Sequence, residues 1–71
     1  MEKGSKALSA ATVGTVTFNY ISEVEDVIGL YTVATGTVAV TGVSYSGNTV
    51  TVNYAAAVTG TVHVTAVGWT G

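Results

Sequence analysis

The sequence predicts an all-β domain, a small sandwich or flattened barrel of about five or six short antiparallel strands. Three observations lead to this class. Threonine and valine, which are stiff at χ1 and favoured in strands, contribute 13 and 14 of the 71 residues. Several segments alternate polar and apolar residues with the period of two that a half-buried strand requires. No proline is present to interrupt a strand ladder.

The strands are expected where this alternation is most regular. It places the valines of each segment on one face, as a core, and the threonines on the other face. Between two of these segments, Gly47 and Asn48 tolerate the positive φ of a tight hairpin turn, and Gly42 predicts a bulge or a bend. The predicted strands are Thr15–Tyr20, Thr37–Thr41, Val43–Tyr45, Thr49–Tyr54 and Thr61–Thr65.

Two patterns occur twice in the chain. Thr-Val-Thr-Phe-Asn-Tyr at 15–20 returns as Thr-Val-Thr-Val-Asn-Tyr at 49–54. Thr-Gly-Thr-Val-Ala-Val-Thr at 35–41 returns at 59–65 with histidine in place of the alanine. The offsets, 34 and 24 residues, differ. Convergence on one strand-forming pattern therefore explains both pairs better than duplication.

Residues 22–29 break the strand period and predict a short helical turn. Ser22-Glu23-Val24-Glu25 has the form of a capping box, and acidic residues in a first turn suit the helix dipole. Gly29 is a candidate for the end of the turn, and a strand at 27–33 is the alternative for its second half. The apolar residues with helical spacing are Val24, Val27, Ile28 and Tyr31.

The first 11 residues show no periodicity. They predict an N-terminal arm at 1–11, flexible alone or ordered by a neighbour, ahead of a single β domain at 12–71. A chain of 71 residues supports only a marginal core, and without cysteine it has no disulfide and no thiolate metal site. Partners are therefore the expected source of stability.

Charge is confined to the start of the chain. Charged residues make up 8% of the sequence, against about a quarter in a typical soluble domain. Near-neutral surfaces tend to associate, so the chain is predicted to be part of a larger assembly. All six formal charges lie within the first 26 residues: Glu2, Lys3, Lys6, Glu23, Glu25 and Asp26.

Composition also argues against two classes of partner. Two lysines and a net charge of −2 do not form the basic patch that nucleic acid or an anionic membrane surface requires. No apolar run approaches the roughly 18–20 residues of a spanning helix. The expected partners are other subunits of this assembly, including further copies of the chain.

His63 and the acidic cluster are the candidate titratable sites. His63 alternates with valines, so it is expected on the threonine face as a surface or interface residue. A pH-sensitive subunit contact is the alternative role for it. Glu23, Glu25 and Asp26 are expected to cap the helical turn and favour solubility, although carboxylates also suit a weak cation site.

The aromatic residues suit either a small β core and an interface or a platform for sugars. Tyr20 and Tyr54 end equivalent predicted strands, which favours a shared structural role. Nucleophilic catalysis needs a base beside the nucleophile, and the chain offers one histidine and no catalytic or phosphate-binding motif. The sequence thus predicts no catalytic, cofactor or metal site. The aromatic candidates are Tyr20, Tyr31, Tyr45, Tyr54 and Trp69.

Over residues 12–67 the chain resembles, in style rather than by a motif, the Thr/Val/Gly-rich β proteins that phages carry on heads and tails. The resemblance implies a capsid decoration or cement protein that sits on the capsid lattice of a virion, often as a trimer, and braces the major capsid protein. Its N-terminal arm would clamp a neighbour or complete its sheet. The alternatives are a subunit of an extracellular filament or tail tube, and a small carbohydrate-binding or adhesion module.

Overall fold

The computed structural model describes residues 1–70, which form an all-β protein of four antiparallel strands in one sheet. No helix occurs among these residues. The all-β class predicted from the sequence is confirmed. The strands are β1 (Glu2–Thr17), β2 (Glu23–Ala34), β3 (Val40–Ser46) and β4 (Thr49–Trp69).

β4 is the central strand, and each of the other three pairs with it. β1 follows one side of β4 along nearly its whole length. On the other side, β3 pairs with the first part of β4, and β2 pairs with the last part. We call Thr49–Tyr54, β3 and the end of β1 the first half-sheet. The second half-sheet consists of Val58–Trp69, β2 and the start of β1.

The sheet folds back on itself between these half-sheets. The β1 ladder is irregular between Leu8 and Val13, where Ala10 has a φ of 49° and its N–H donates to Thr59 Oγ1 at 3.0 Å. As a result the two ends of β1 meet: a Cβ placed on Gly4 would lie 2.5 Å from Val16 Cγ1. A straight strand would hold residues this far apart in sequence about 40 Å from each other.

The core lies between the two half-sheets. It is built from alternate residues of β1 and β4, as the period of two predicts, so the expectation that the valines form the core is confirmed for these strands. In β3 it is not, because Val40 and Val43 are 42% and 44% exposed. The bend after β1 adds Phe18 and Ile21, which are as deeply buried as the valines. The largest fully buried side chains are Phe18, Ile21, Val16, Val50, Val52, Val62 and Val64.

The strands are fewer and longer than the sequence predicts. Thr49–Tyr54 and Thr61–Thr65 were expected as separate strands but belong to one strand, β4. Residues 55–60 between them keep strand geometry, and the first three, Ala55-Ala56-Ala57, are exposed where the sheet bends. The expected count of five or six strands is therefore wrong for the described residues, which form four.

The helical turn predicted at 22–29 is wrong. Glu23–Ala34 is strand β2, and its ladder with β4 shifts register between Val24 and Asp26 and again between Val27 and Gly29. Each shift inserts an extra residue, which returns the next apolar side chain to the interior. Val24 and Val27 therefore face the core three residues apart, a spacing that imitates a helix.

Residues 2–11, expected within an N-terminal arm, form the first part of β1. They pair with the second half of β4, from Glu2 opposite Ala66 to Ala11 opposite Val58. Leu8 is the one buried side chain in this segment, so the segment is held mainly by its backbone pairing with β4. Side-chain periodicity is accordingly weak there and gave no sign of a strand.

The predicted hairpin turn is confirmed. β3 ends at Ser46 and β4 begins at Thr49, with Gly47 at a φ of 59° between them. The expected irregularity at Gly42 is also present, as a register shift between Val40 and Gly42. The strand predicted to begin at residue 37 begins instead at Val40.

Candidate interaction surfaces

The outer face of the first half-sheet is lined with hydroxyl groups. On β4, Thr49 and Thr51 point outward, because Val50 and Val52, which alternate with them, are fully buried in the interior. The register places Thr15 and Ser44 on either side of Thr51. No charged residue belongs to this surface, which we call the hydroxyl face: Thr15, Thr17, Ser44, Ser46, Thr49 and Thr51.

The outer face of the second half-sheet holds His63, as the sequence predicts. His63 lies between Ser5 of β1 and Tyr31 of β2 in one cross-strand row. The rings of His63 and Tyr31 are stacked, with centroids 4.6 Å apart and planes 16° from parallel. The Tyr31 side chain remains 56% exposed. This stacked pair is the aromatic centre of the outer face of the second half-sheet.

The five aromatic candidates do not form one platform. Tyr54 is buried, and its hydroxyl lies 2.9 Å from Thr32 Oγ1. Tyr45 donates its hydroxyl to the Glu25 carbonyl oxygen at 2.7 Å. Trp69 and Tyr20 are exposed at 63% and 81%. The shared role expected for Tyr20 and Tyr54 is wrong, because one is in the bend after β1 and the other is inside β4.

Glu2 has a role that the sequence did not reveal. Its carboxylate accepts three backbone N–H groups from the bend after β1, those of Asn19 at 2.9 Å and of Tyr20 and Ile21 at 3.0 Å. Desolvation by itself raises the pKa of this carboxyl, but the N–H groups of Ile21, Asn19 and Tyr20 favour the charged form. The net effect lowers the pKa below its ordinary value of 4.5. The partners are 17 to 19 residues away, so no local motif signals this contact.

The acidic cluster lies at the start of β2 and does not cap a helix. Glu23, Glu25 and Asp26 are exposed, and Asp26 Oδ1 accepts the N–H of Val27 at 2.9 Å. Among the described residues no group of three or more histidine and acidic side chains is placed to hold a metal ion. The cluster is instead one of two groups of opposite charge on the second half-sheet. The other is Lys3 and Lys6 on β1.

Each half-sheet has two outer strands. β1 forms one side of the molecule, and β2 with β3 forms the other. The start of β2 is covered by the hairpin, because Val24 donates its N–H to the Gly47 carbonyl oxygen at 2.6 Å. From Asp26 onward, β2 has a ladder partner only on its β4 side within the part of the chain that the structure describes.

Residues 1–70 form no pocket and contain no helix long and apolar enough to cross a membrane. The chain matches no model of a known protein family, no functionally curated protein and no solved structure. The faces and edges described above therefore carry the functional argument.

Proposed function

We propose that this chain is a non-enzymatic structural protein of a virion, a capsid decoration or cement subunit built as a small two-layer β-sandwich. In this proposal it associates with further copies of itself, as in a trimer, and with a larger structural protein such as the major capsid protein. The carrying observation is the hydroxyl face, a broad strand surface without a charged residue. Near-neutral surfaces favour association, since charge repulsion does not keep them apart.

The area of exposed surface is that of an ordinary compact monomer, so the proposal rests on which groups are exposed and not on how much surface is exposed. The accessible surface of 4197 Å² is close to the roughly 4,100 Å² of a compact monomer of this mass. The folded chain is therefore compact, and its own residues bury the core. Large apolar side chains are nonetheless exposed on both outer strands of the β2–β3 side, including Val33 at 59% and Val43 at 44%.

In this proposal the N-terminal segment is not the arm that was expected to clamp a neighbour. Glu2–Leu8 pairs with β4 of its own chain, so in this proposal lattice contacts come from faces and edges rather than from a free arm. Glu2 fixes the bend after β1, which further ties the segment to its own subunit.

The first test is composition of the particle. Mass spectrometry of purified virus particles from the source culture is expected to find the chain at a fixed ratio to the major capsid protein. Recovery of the protein only from the soluble fraction, with none in the particles, would contradict the proposal.

The second test addresses the hydroxyl face directly. Thr51→Lys places a charge at its centre without touching the core, because residue 51 points away from Val50 and Val52. We expect this variant to fold normally but to lose binding to particles. Ala56→Lys is the matched control, since it adds the same charge at the exposed bend of β4. Equal binding of both variants would argue against this face.

A filament or tail-tube subunit is the second candidate, and one observation favours it. The two sides of the molecule present different outer strands, β1 on one side and β2 with β3 on the other. Different surfaces that contact each other make a heterologous interface, which can extend without closing. Electron microscopy of the purified chain separates the two candidates: long filaments favour the second, and discrete oligomers favour the first.

A further inference from the structure

We propose that copies of this chain associate edge to edge and head to tail, with β1 of one copy placed beside β2 and β3 of the next. The inference rests on the proposed function only in that both require self-association. It assigns the contact to the two edges, whereas the hydroxyl face remains free for a different partner. Variants at the edges therefore test self-association, whereas Thr51→Lys tests binding to particles, so either proposal can be contradicted without the other.

Charge complementarity is the first argument. Apart from Glu2, whose carboxylate is bound by its own chain, the charged residues are divided between the two edges of the second half-sheet. Lys3 and Lys6 lie on β1. Glu23, Glu25 and Asp26 lie on β2. Each copy thus presents a basic edge and an acidic edge, and two copies in the same orientation bring unlike edges together.

Strand direction permits this arrangement in both half-sheets. β1, β2 and β3 are all antiparallel to β4, so β1 is parallel to both β2 and β3. A second copy, shifted sideways without being turned over, therefore adds its β1 to both half-sheets at once. The step is about three strand spacings, roughly 14 Å, comparable with the 16 Å width of the molecule.

The register brings the charges near each other. Lys3 and Gly29 both pair with Thr65, so they lie at the same level along the sheet. Asp26 pairs with Val67, two residues further along β4. After a sideways shift, Lys3 of one copy would lie about 7 Å along the strand from the level of Asp26 of the next copy. This separation is within about one Debye length at physiological salt.

The ordinary alternative is that Lys3 and Lys6 guard an edge strand against pairing, as lysines often do. Removing the lysines distinguishes the two roles. For Lys3→Thr with Lys6→Thr, the proposal predicts self-association weaker by roughly 2- to 5-fold, because the exposed attraction between Lys3 and Asp26 is lost. If the lysines instead guard the edge against pairing, this variant should associate more strongly than the unchanged chain. Sedimentation equilibrium at low and at physiological salt measures both.

Cysteine cross-linking tests the geometry, because the chain has no cysteine of its own. Ala7 and Val33 both pair with Thr61, on opposite sides of β4. Within one copy they are two strand spacings apart, about 9.6 Å, too far for a disulfide. Across the proposed contact they become direct neighbours.

The experiment mixes full-length Ala7→Cys and Val33→Cys chains under mild oxidation. We expect a disulfide-linked heterodimer that forms faster than either homodimer, and a ladder of higher oligomers from the chain with both substitutions. Ala56→Cys, at the exposed bend, is the control for random collision. A dominant Ala7→Cys homodimer would show β1 paired with β1 and would overturn the proposal, as would cross-linking no faster than the control.

Discussion

The pattern Thr-Gly-Thr-Val-x-Val-Thr has two different outcomes in this molecule. The copy at 59–65 lies inside β4, where Val62 and Val64 are completely or almost completely buried. In the copy at 35–41, the strand begins only at Val40, whose side chain is 42% exposed. Nearly the same seven residues therefore form the middle of the sheet in one place and mostly a connection in the other.

Strand partners account for the difference. Residues 60–65 have β1 on one side and β2 on the other, so their backbone groups are paired in both directions. The copy at 35–41 joins β2 to β3 at the side of the molecule. Before β3 begins, its one backbone bond to another segment within residues 1–70 is accepted by the Ala39 carbonyl oxygen from the Ala55 N–H at 2.9 Å. Alternation makes a strand possible, and a partner on each side makes it central.

The largest difference between the copies is expected at their glycines. A Cβ on Gly60 would overlap the carbonyl oxygen of Val33, so Gly60→Ala must push β2 away from β4. We expect a loss of about 3 kcal/mol or more in the free energy of unfolding. At Gly36 nothing lies within 4 Å, and Gly36→Ala meets only the cost of a φ of 86°, roughly 1 kcal/mol. Urea unfolding followed by circular dichroism measures both, and equal losses would contradict this account.

The valines give the next largest effect. Val64→Ala removes two methyl groups from a site that is 1% exposed and leaves a cavity, so about 2 kcal/mol of unfolding free energy should be lost. Val40→Ala is the matched substitution in the other copy. Because Val40 is already partly exposed, we expect a loss well below 1 kcal/mol there. If the two losses were similar, the difference in burial would not determine their stability contributions.

The second repeated pattern allows a finer comparison, between Tyr54 and Tyr20. Tyr54→Phe deletes the hydroxyl that lies 2.9 Å from Thr32 Oγ1, a contact that joins the two half-sheets. We expect a loss of about 1 kcal/mol in unfolding free energy. Tyr20→Phe changes an exposed side chain and should leave stability unchanged. Thermal unfolding of both variants checks this, and a larger effect at Tyr20 would contradict it.

The smallest effect concerns Glu2 and depends on pH. The folded state lowers the pKa of this carboxyl below 4.5, so its contribution is fully present above that value. The contribution is lost as the pH falls from about 4.5 through the lower folded pKa. Glu2→Gln should therefore have a melting temperature that changes less between pH 6 and pH 3 than that of the unchanged chain.

Glu25→Gln serves as the control for Glu2, because it removes an exposed carboxylate from β2 without altering the bend after β1. We expect the Glu25 variant to keep most of the acid sensitivity. If both variants responded identically to acid, the three N–H groups around Glu2 would not be the source of the pH dependence.

The sequence predicted the local features of this fold and missed the long-range ones. Alternation identified the inward valines of β4, and Gly47 identified the hairpin, because both signals lie within a few residues. The helical spacing at the start of β2 was misleading, since two register shifts reproduce it in a strand. Only the pairing of β2 with β4 distinguishes these cases, and it joins residues at least 26 apart.

The candidate surfaces follow the same division. The position of His63 on a threonine face came from alternation alone. Its stacking on Tyr31 depends on which strand lies beside β4, and so does the separation of lysines and acids onto opposite edges. The contact of Glu2 with the bend at Asn19 joins two segments that the sequence treats as unrelated.

Because β4 comes last among the strands, the order of synthesis constrains how this protein folds. When β1, β2 and β3 leave the ribosome, the strand that each of them pairs with has not yet been made. The β3–β4 hairpin is the one pairing with near neighbours in sequence, so it can form first as β4 emerges. β1 must then find β4 across a long loop, with Glu2 opposite Ala66, and such closures are slow. Until then the Val- and Thr-rich strands β1 and β2 remain unpaired, and a cell that makes this chain must tolerate or shield their exposed edges.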